Sequence, residues 1–217
     1  MYQSNEINKL IILLIIIVLI VIIIMFLWKH ANYEYITSTN GLKFRVISGK
    51  DGKEAAEILA ELNGRVNTLL SNMKRKYENG NDTNAAMYKK LADEYDFDDF
   101  EENPDETFVI GKGNKINVCL RDANGKFYPI NELMFVVLHE LAHIITIEYN
   151  HLPQFWRNAN FLLSEAIISG IYIAVDYSLK PFMYCNNIYV NSNPYLDTQF
   201  KMLLNNKNIN ENEDIGK

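Results

Sequence analysis

The segment FVVLHELAHIITIEYNHLPQFW, residues 135–156, constrains this chain more than any other, because it carries three of the four histidines and sets two of them at helical spacing. In His139-Glu140-Leu141-Ala142-His143 the i and i+4 imidazoles stack one turn apart on one helix face, with roughly 6 Å between Cβ atoms. Both can therefore reach one metal ion. Leu133, Val136, Val137, Leu141, Ile144 and Ile145 make the segment apolar on most sides, so a helix from about Glu132 to Tyr149, with Asn131 as N-cap, belongs in a domain interior. Two histidines and a glutamate are costly there unless they are paired or bound to metal.

Each residue type answers a separate chemical need. Neutral imidazoles from His139 and His143 give Zn2+ two nitrogen ligands, and a catalytic site takes a third protein ligand while keeping the fourth position for water. Glu140 is then the expected general base, taking the proton of that water as it attacks a carbonyl and passing it to the leaving amine. Two residues compete for the third ligand position. His151 lies eight residues after His143, just before Pro153, where the chain can turn back. Glu165 is an isolated acid in the apolar run Phe161-Leu162-Leu163-Ser164-Glu165-Ala166. His151 is favoured, with Glu165 as the alternative ligand or as a partner that orients a histidine. An oxyanion-stabilising hydroxyl is expected from Tyr172, Tyr177, Tyr184 or Tyr189, with Tyr184 preferred because it follows the turn at Pro181.

Near the N-terminus, Leu10 to Trp28 is an unbroken run of 19 apolar residues. As a helix this is roughly 28 Å long, enough for the hydrocarbon core of a bilayer. It is expected to be one transmembrane helix, residues 10–28, after a polar tail, 1–9. The competing reading, a cleaved signal peptide, fits less well, since the apolar region is too long and Trp28-Lys29-His30 offers no small-x-small exit. A single-pass membrane protein follows. Lys29, Lys43 and Arg45 after the span, against Lys9 before it, lean towards a cytosolic C-terminal domain.

The remainder reads as one α+β domain, residues 31–204, with a polar tail at 205–217. Tyr33 to Ile47 is β structure turned at Asn40-Gly41, and Lys53 to Tyr77 is a long helix capped by Asp51. A shorter helix covers Ala85 to Tyr95. Asp93 to Glu106, acidic with Phe97 and Phe100 interleaved, reads as a solvated loop. Thr107 to Ile110 and Ile116 to Arg121 read as a hairpin, and Phe161 to Val175 as a helix packed on the histidine helix. If Ile116 to Arg121 is an exposed edge, a peptide could add to it as an extended strand.

A net charge of −6 leaves no basic footprint for phosphates, so no direct nucleic-acid partner is expected. Cys119 and Cys185 are too few for a disulfide framework. Cys185 reads as a small buried hydrophobe, with metal ligand or redox switch as alternatives.

The pattern His139-Glu140-Leu141-Ala142-His143, then His151, then Phe155-Trp156 resembles the H-E-L-x-H…H-x-x-x-F-W pattern of WLM, SprT-like and YgjP-like zinc metallopeptidases. More closely, the stretch from about Ile116 to Tyr195 is similar to WLM-type metallopeptidases of large DNA viruses, through Val118 to Arg121, the histidine helix, Phe155-Trp156, Gly170-Ile171-Tyr172, Val175-Asp176-Tyr177 and Tyr184-Cys185. The resemblance covers about a third of the chain. It implies a compact α+β zincin-like fold, a small antiparallel sheet plus helices, in which His139, His143 and His151 bind zinc and Glu140 is the base. Together with the apolar span at 10–28, which is no part of the resemblance, the function expected is a membrane-anchored zinc-dependent metallopeptidase acting on peptide or protein substrates. The competing reading is a non-catalytic zinc-binding or membrane-tethered interaction module. The chain departs from SprT-like DNA–protein crosslink proteases in lacking a basic region. It departs from metzincins in that seven residues separate His143 from His151, two more than their spacing, without the intervening glycine.

Overall fold

A computed structural model describes residues 11–24, 32–95, 100–110, 115–146, 151–185 and 188–197. Strands β1 (Tyr33–Thr37) and β2 (Lys43–Ile47) pair antiparallel, and the turn between them depends on Gly41, whose φ of +87° suits a residue without Cβ. Phe44 and Val46 alternate inward from β2 and are buried. They pack against α2 (Gly52–Tyr77), whose Leu59, Leu62, Val66, Leu69 and Met73 form one buried stripe at helical spacing. Asp51 precedes α2 as expected, but its carboxylate makes no cap bond and faces Arg121 Nη1 at 3.5 Å. Helix α3 (Thr83–Glu94) is capped by Asp82, which accepts from Ala85 N–H at 2.8 Å.

The acidic stretch departs from its expected solvated state. Residues 100–102 form strand β3 (Phe100–Glu102), with Phe100, Glu101 and Glu102 all buried. Cations on neighbouring strands make this possible. Arg45 and Lys115 donate to Glu101 at 3.2 and 2.7 Å, while Arg121 Nε and the Ile47 N–H donate to Glu102 at 2.8 Å each. Buried carboxylates are tolerated only when paired in this way. Phe97 lies outside the described residues.

Strands β4 (Phe108–Ile110) and β5 (Lys115–Val118) pair antiparallel, as the sequence suggests, but the sheet as a whole is mixed. Its order is β1-β2-β3-β5-β4, with β2–β3 and β3–β5 parallel. The antiparallel expectation fails because α2 and α3 intervene between β2 and β3, and a helical crossover returns the chain in the same direction. This order places β5 inside the sheet. The edge strands are β1 and β4, and β5 is paired on both sides, so its residues Ile116 to Val118 cannot receive an added strand.

Helices α4 (Ile130–Ile145) and α5 (Pro153–Ile168) pack on each other, and α4 also packs on β4, β5 and α2. Asn131 sits in the first turn of α4 instead of capping it, and its amide group bonds both the N–H and the C=O of Ile173. Helix α5 starts earlier than expected because Pro153 supplies a first position whose missing N–H costs nothing. It ends earlier because Gly170, at φ +70°, closes a Schellman motif in which Ile171 N–H reaches Ala166 O and Gly170 N–H reaches Ile167 O. A two-stranded antiparallel ribbon, β6 (Phe182–Tyr184) with β7 (Ile188–Val190), follows.

The expected transmembrane helix is corrected. Among the described residues no helix is long and apolar enough to cross a membrane. The helical segment α1, residues 11–24, extends about 21 Å at 1.5 Å per residue, short of the roughly 30 Å of a bilayer core. The single-pass localisation and the cytosolic orientation rested on that span and are withdrawn with it. Residues 1–10, 25–31 and 198–217, which include both expected tails, lie outside the described residues.

Candidate metal centre and the cavity beside it

Helix α4 brings His139 and His143 together as the i, i+4 spacing requires, with ring centroids 5.0 Å apart. It then stops at Ile145 for a local reason. Thr146 takes an extended conformation and its hydroxyl donates back to Ala142 O at 2.6 Å. Asn158, fully buried on α5, donates its amide to Thr146 Oγ1 at 2.9 Å and to Ile145 O at 3.3 Å. At the end of α4, Ile145 O is thus satisfied from the following helix, while Ala142 O and His143 O accept from the Thr146 hydroxyl and N–H.

His151 returns to the other two histidines at the entry to α5. Its Nε2 lies 3.0 Å from His139 Nε2 and 3.2 Å from His143 Nε2. Phe155, buried in the first turn of α5, places its ring 4.4 to 4.8 Å from all three imidazole centroids and Trp156 lies beside His151. The aromatic pair therefore forms the packed floor beneath the histidines.

The donor set fits a metal ion. Three ring nitrogens converge, all lying within 4.8 Å of one another, and hydrogen bonding among them is incomplete because each neutral ring carries one N–H and one lone pair. A tetrahedral ion with nitrogen ligands at about 2.0–2.1 Å separates those nitrogens by roughly 3.3 Å, close to the two short spacings observed. Burial drives the His139 ring down to about 3 and the His143 ring down to about 4, and the neighbouring imidazoles push both the same way. Rings held neutral keep their lone pairs for a cation.

Glu140 opens into the same space as His139. Burial alone pushes its carboxyl up to about 8. A cavity of about 210 Å³ adjoins both residues, with Phe135, Val136 and Trp156 on one side and Thr107, Tyr184 and the β7 residues Ile188 to Val190 also lining it.

Glu165 is engaged elsewhere. Its Oε1 accepts from Lys76 Nζ and from Tyr77 OH, each at 2.7 Å, and so ties α5 to α2. Tyr184 lines the cavity, but its ring is buried and its hydroxyl is committed. It donates to Cys119 O at 2.9 Å and pairs with Thr107 Oγ1 at 2.5 Å, while Thr107 Oγ1 accepts from Cys119 N–H at 2.8 Å. Tyr172, which accepts from Asn193 Nδ2, and Tyr177 are buried and do not line the cavity. Tyr189 does line it and is 58% exposed.

Sequence reasoning missed one feature here outright. Cys119 and Cys185 form a disulfide across 66 residues, so Cys185 is neither a free buried thiol nor a metal ligand. It fastens the end of β6 to the end of β5, and Cys185 N–H adds a bond to Tyr128 OH at 2.9 Å. The available signal was that both cysteines lie in segments assigned to the same domain, flanking the histidine helix.

The WLM domain family model matches residues 107–176, which take in β4, β5, α4 and α5. An uncharacterized protein of Acanthamoeba polyphaga mimivirus is 31% identical over 172 residues, covering 74% of this chain and 85% of that protein. Uncharacterized proteins of Invertebrate iridescent virus 3 and Invertebrate iridescent virus 6 are 39% and 34% identical over 84 and 90 residues, about half the length of each. No solved structure matches the chain. The family match runs over the stretch that supplies all three histidines, Glu140 and their aromatic floor, and the mimivirus likeness extends over most of the rest, so the chain belongs to the WLM domain family, a zincin-like metallopeptidase type.

Proposed function

We propose that the chain is a zinc-dependent peptide hydrolase in which His139, His143 and His151 hold the metal and Glu140 is the general base. The observation that carries this reading is the convergence of three imidazole Nε2 atoms at the edge of a cavity that Glu140 also lines. When bound, zinc would polarise the scissile carbonyl and lower the pKa of water at its open position.

The chain's own residues supply the rest. Glu140, with a carboxyl that burial makes basic, takes the proton of the attacking water and returns it to the departing amine. A cation close by draws that carboxyl back towards its ionised form. Tyr189 is the residue we assign as donor to the developing oxyanion, since it is the one among the four candidates that is both exposed and part of the cavity lining. Tyr184 acts as a positioning residue, holding the β6–β7 ribbon to Thr107 and Cys119. A substrate peptide would add along β4, the edge strand that follows the cavity-lining Thr107.

Zinc content and cleavage of an unstructured peptide, measured on the full chain and on Glu140→Gln, test the reading. One zinc per chain in both, with cleavage in the wild type and a loss of about 10²-fold or more in the variant, is the expected result. Zinc bound without cleavage in the wild type would leave a non-catalytic zinc module, and absence of zinc would remove both readings.

A further inference from the structure

We infer that the Cys119–Cys185 disulfide is a redox latch. Closed, it holds the β6–β7 ribbon against the space beside Glu140; reduced, it lets the ribbon go and shuts off the site while the three histidines keep their places. The inference rests on the hydrolase reading for what is shut off, and on how the ribbon is attached for the rest. Among the described residues the ribbon's two strands pair with each other alone, and no other strand or helix packs along them at length. The ribbon is fastened at one end. There the disulfide joins Cys185, just after β6, to Cys119, just after β5. Cys185 N–H donates to Tyr128 OH, the Tyr184 hydroxyl donates to Cys119 O, and the rings of Phe182 and Tyr184 lie against Tyr128. All of these ties are to β6 or to the residue after it. Strand β7, which brings Ile188, Tyr189 and Val190 to the cavity, takes its place through its pairing with β6.

Backbone conformation shows what the latch enforces. Among the described residues Cys185 is the one residue other than glycine with a positive φ, +49°. A Cβ makes that left-handed conformation costly, and it persists where the surroundings over-determine it. Cutting the disulfide therefore removes a restraint at the point where the chain is least content to stay. Met183, Ile188 and Tyr189 are exposed, and an element with so little packing opens locally ahead of the rest of the fold. Both cysteines are buried, so a reductant reaches them through that opening. The step is a two-electron exchange with a dithiol. Its thiolate attacks one sulfur, the Cys119–Cys185 bond breaks, a second attack closes the reductant's own disulfide, and the two protons end on the Cys119 and Cys185 thiols. The histidines depend on none of these ties, being set by α4 and by the Thr146–Asn158 brace.

The zinc-loaded full chain is compared oxidised, reduced by excess dithiothreitol, and reoxidised, beside the Cys119→Ala/Cys185→Ala double variant in the same buffers. The variant also reports what the reductant does to zinc by itself. Amide hydrogen exchange read by mass spectrometry follows residues 182–190 and the histidine helix, 135–145. Reduction should bring 182–190 to full exchange at times when 135–145 still holds its amides, lower peptide cleavage by roughly 10-fold or more as Tyr189 leaves the site, and leave as much zinc bound as in the treated variant. Reoxidation should restore protection and cleavage, and the double variant should match the reduced chain in every buffer. Unchanged exchange at 182–190 on reduction, equal opening of 135–145, or cleavage that persists with the ribbon released would each overturn the latch and leave the hydrolase reading standing. Absence of cleavage from the oxidised chain overturns the hydrolase reading instead, and the exchange data then decide by themselves whether the disulfide holds the ribbon.

Discussion

The helical wall of the cavity and the ribbon wall differ in how far along the chain their positions are decided. On the helical side, His139 and His143 are fixed by a spacing of four, and His151 by a helix break that Thr146 and Asn158 stabilise within a dozen residues. On the ribbon side, Tyr184, Ile188 and Tyr189 stand where they do because Cys185 is bonded to Cys119 and Tyr184 to Thr107, partners 66 and 77 residues away. Local spacing places the three imidazoles, and long-range tethers place the ribbon residues that line the cavity.

The sharpest way to break that contrast is to cut the tether. Replacing both Cys119 and Cys185 by Ala should cost about 4 kcal/mol for a loop of this length, which lowers Tm by roughly 10 °C, while zinc content stays at one per chain. Calorimetry and metal analysis on one sample decide it. Loss of zinc along with stability would show that the two walls are not separately determined.

Next in size is Tyr189→Phe. Removal of an oxyanion donor costs about 10²-fold in kcat, and the assignment predicts that loss with KM and Tm little changed. An unaltered kcat would return the role to another group. Asn158→Ala comes third, because it leaves Thr146 and Ile145 without their buried partner. A destabilisation of about 1 to 3 kcal/mol is expected, with zinc affinity reduced because the return of His151 is no longer braced. Tyr184→Phe is the smallest, about 1 kcal/mol for one buried hydroxyl. Chemical denaturation would show it, and kcat should fall less than in Tyr189→Phe.

The same contrast explains what could be read from the sequence. The boundaries of α2, the β1–β2 turn at Asn40-Gly41 and the course of α4 follow from short-range periodicity and turn chemistry, and the structure keeps them to within a few residues. Strand β3 was illegible because Glu101 and Glu102 look solvated until Arg45, Lys115 and Arg121 are brought alongside by the sheet. The early end of α5 was legible in principle, since Gly170 follows the last helical residues, but the apolar spacing of Ile171 and Ala174 argued for continuing the helix. The apolar run at the N-terminus suggested a membrane span by composition and length alone. The described helix, 11–24, is too short to be one. For the third ligand the sequence offered His151 and Glu165 as alternatives. The structure brings His151 to the other two rings and gives the Glu165 carboxylate to Lys76 and Tyr77.

X-ray absorption at the zinc edge tests the central claim most directly, comparing the wild type with His151→Ala and Glu165→Gln. The account predicts one zinc per chain with three imidazole nitrogens at about 2.0–2.1 Å, a shell reduced to two imidazoles or lost in His151→Ala, and an unchanged shell in Glu165→Gln. A shell that keeps three imidazoles without His151, or one that changes with Glu165, would contradict it.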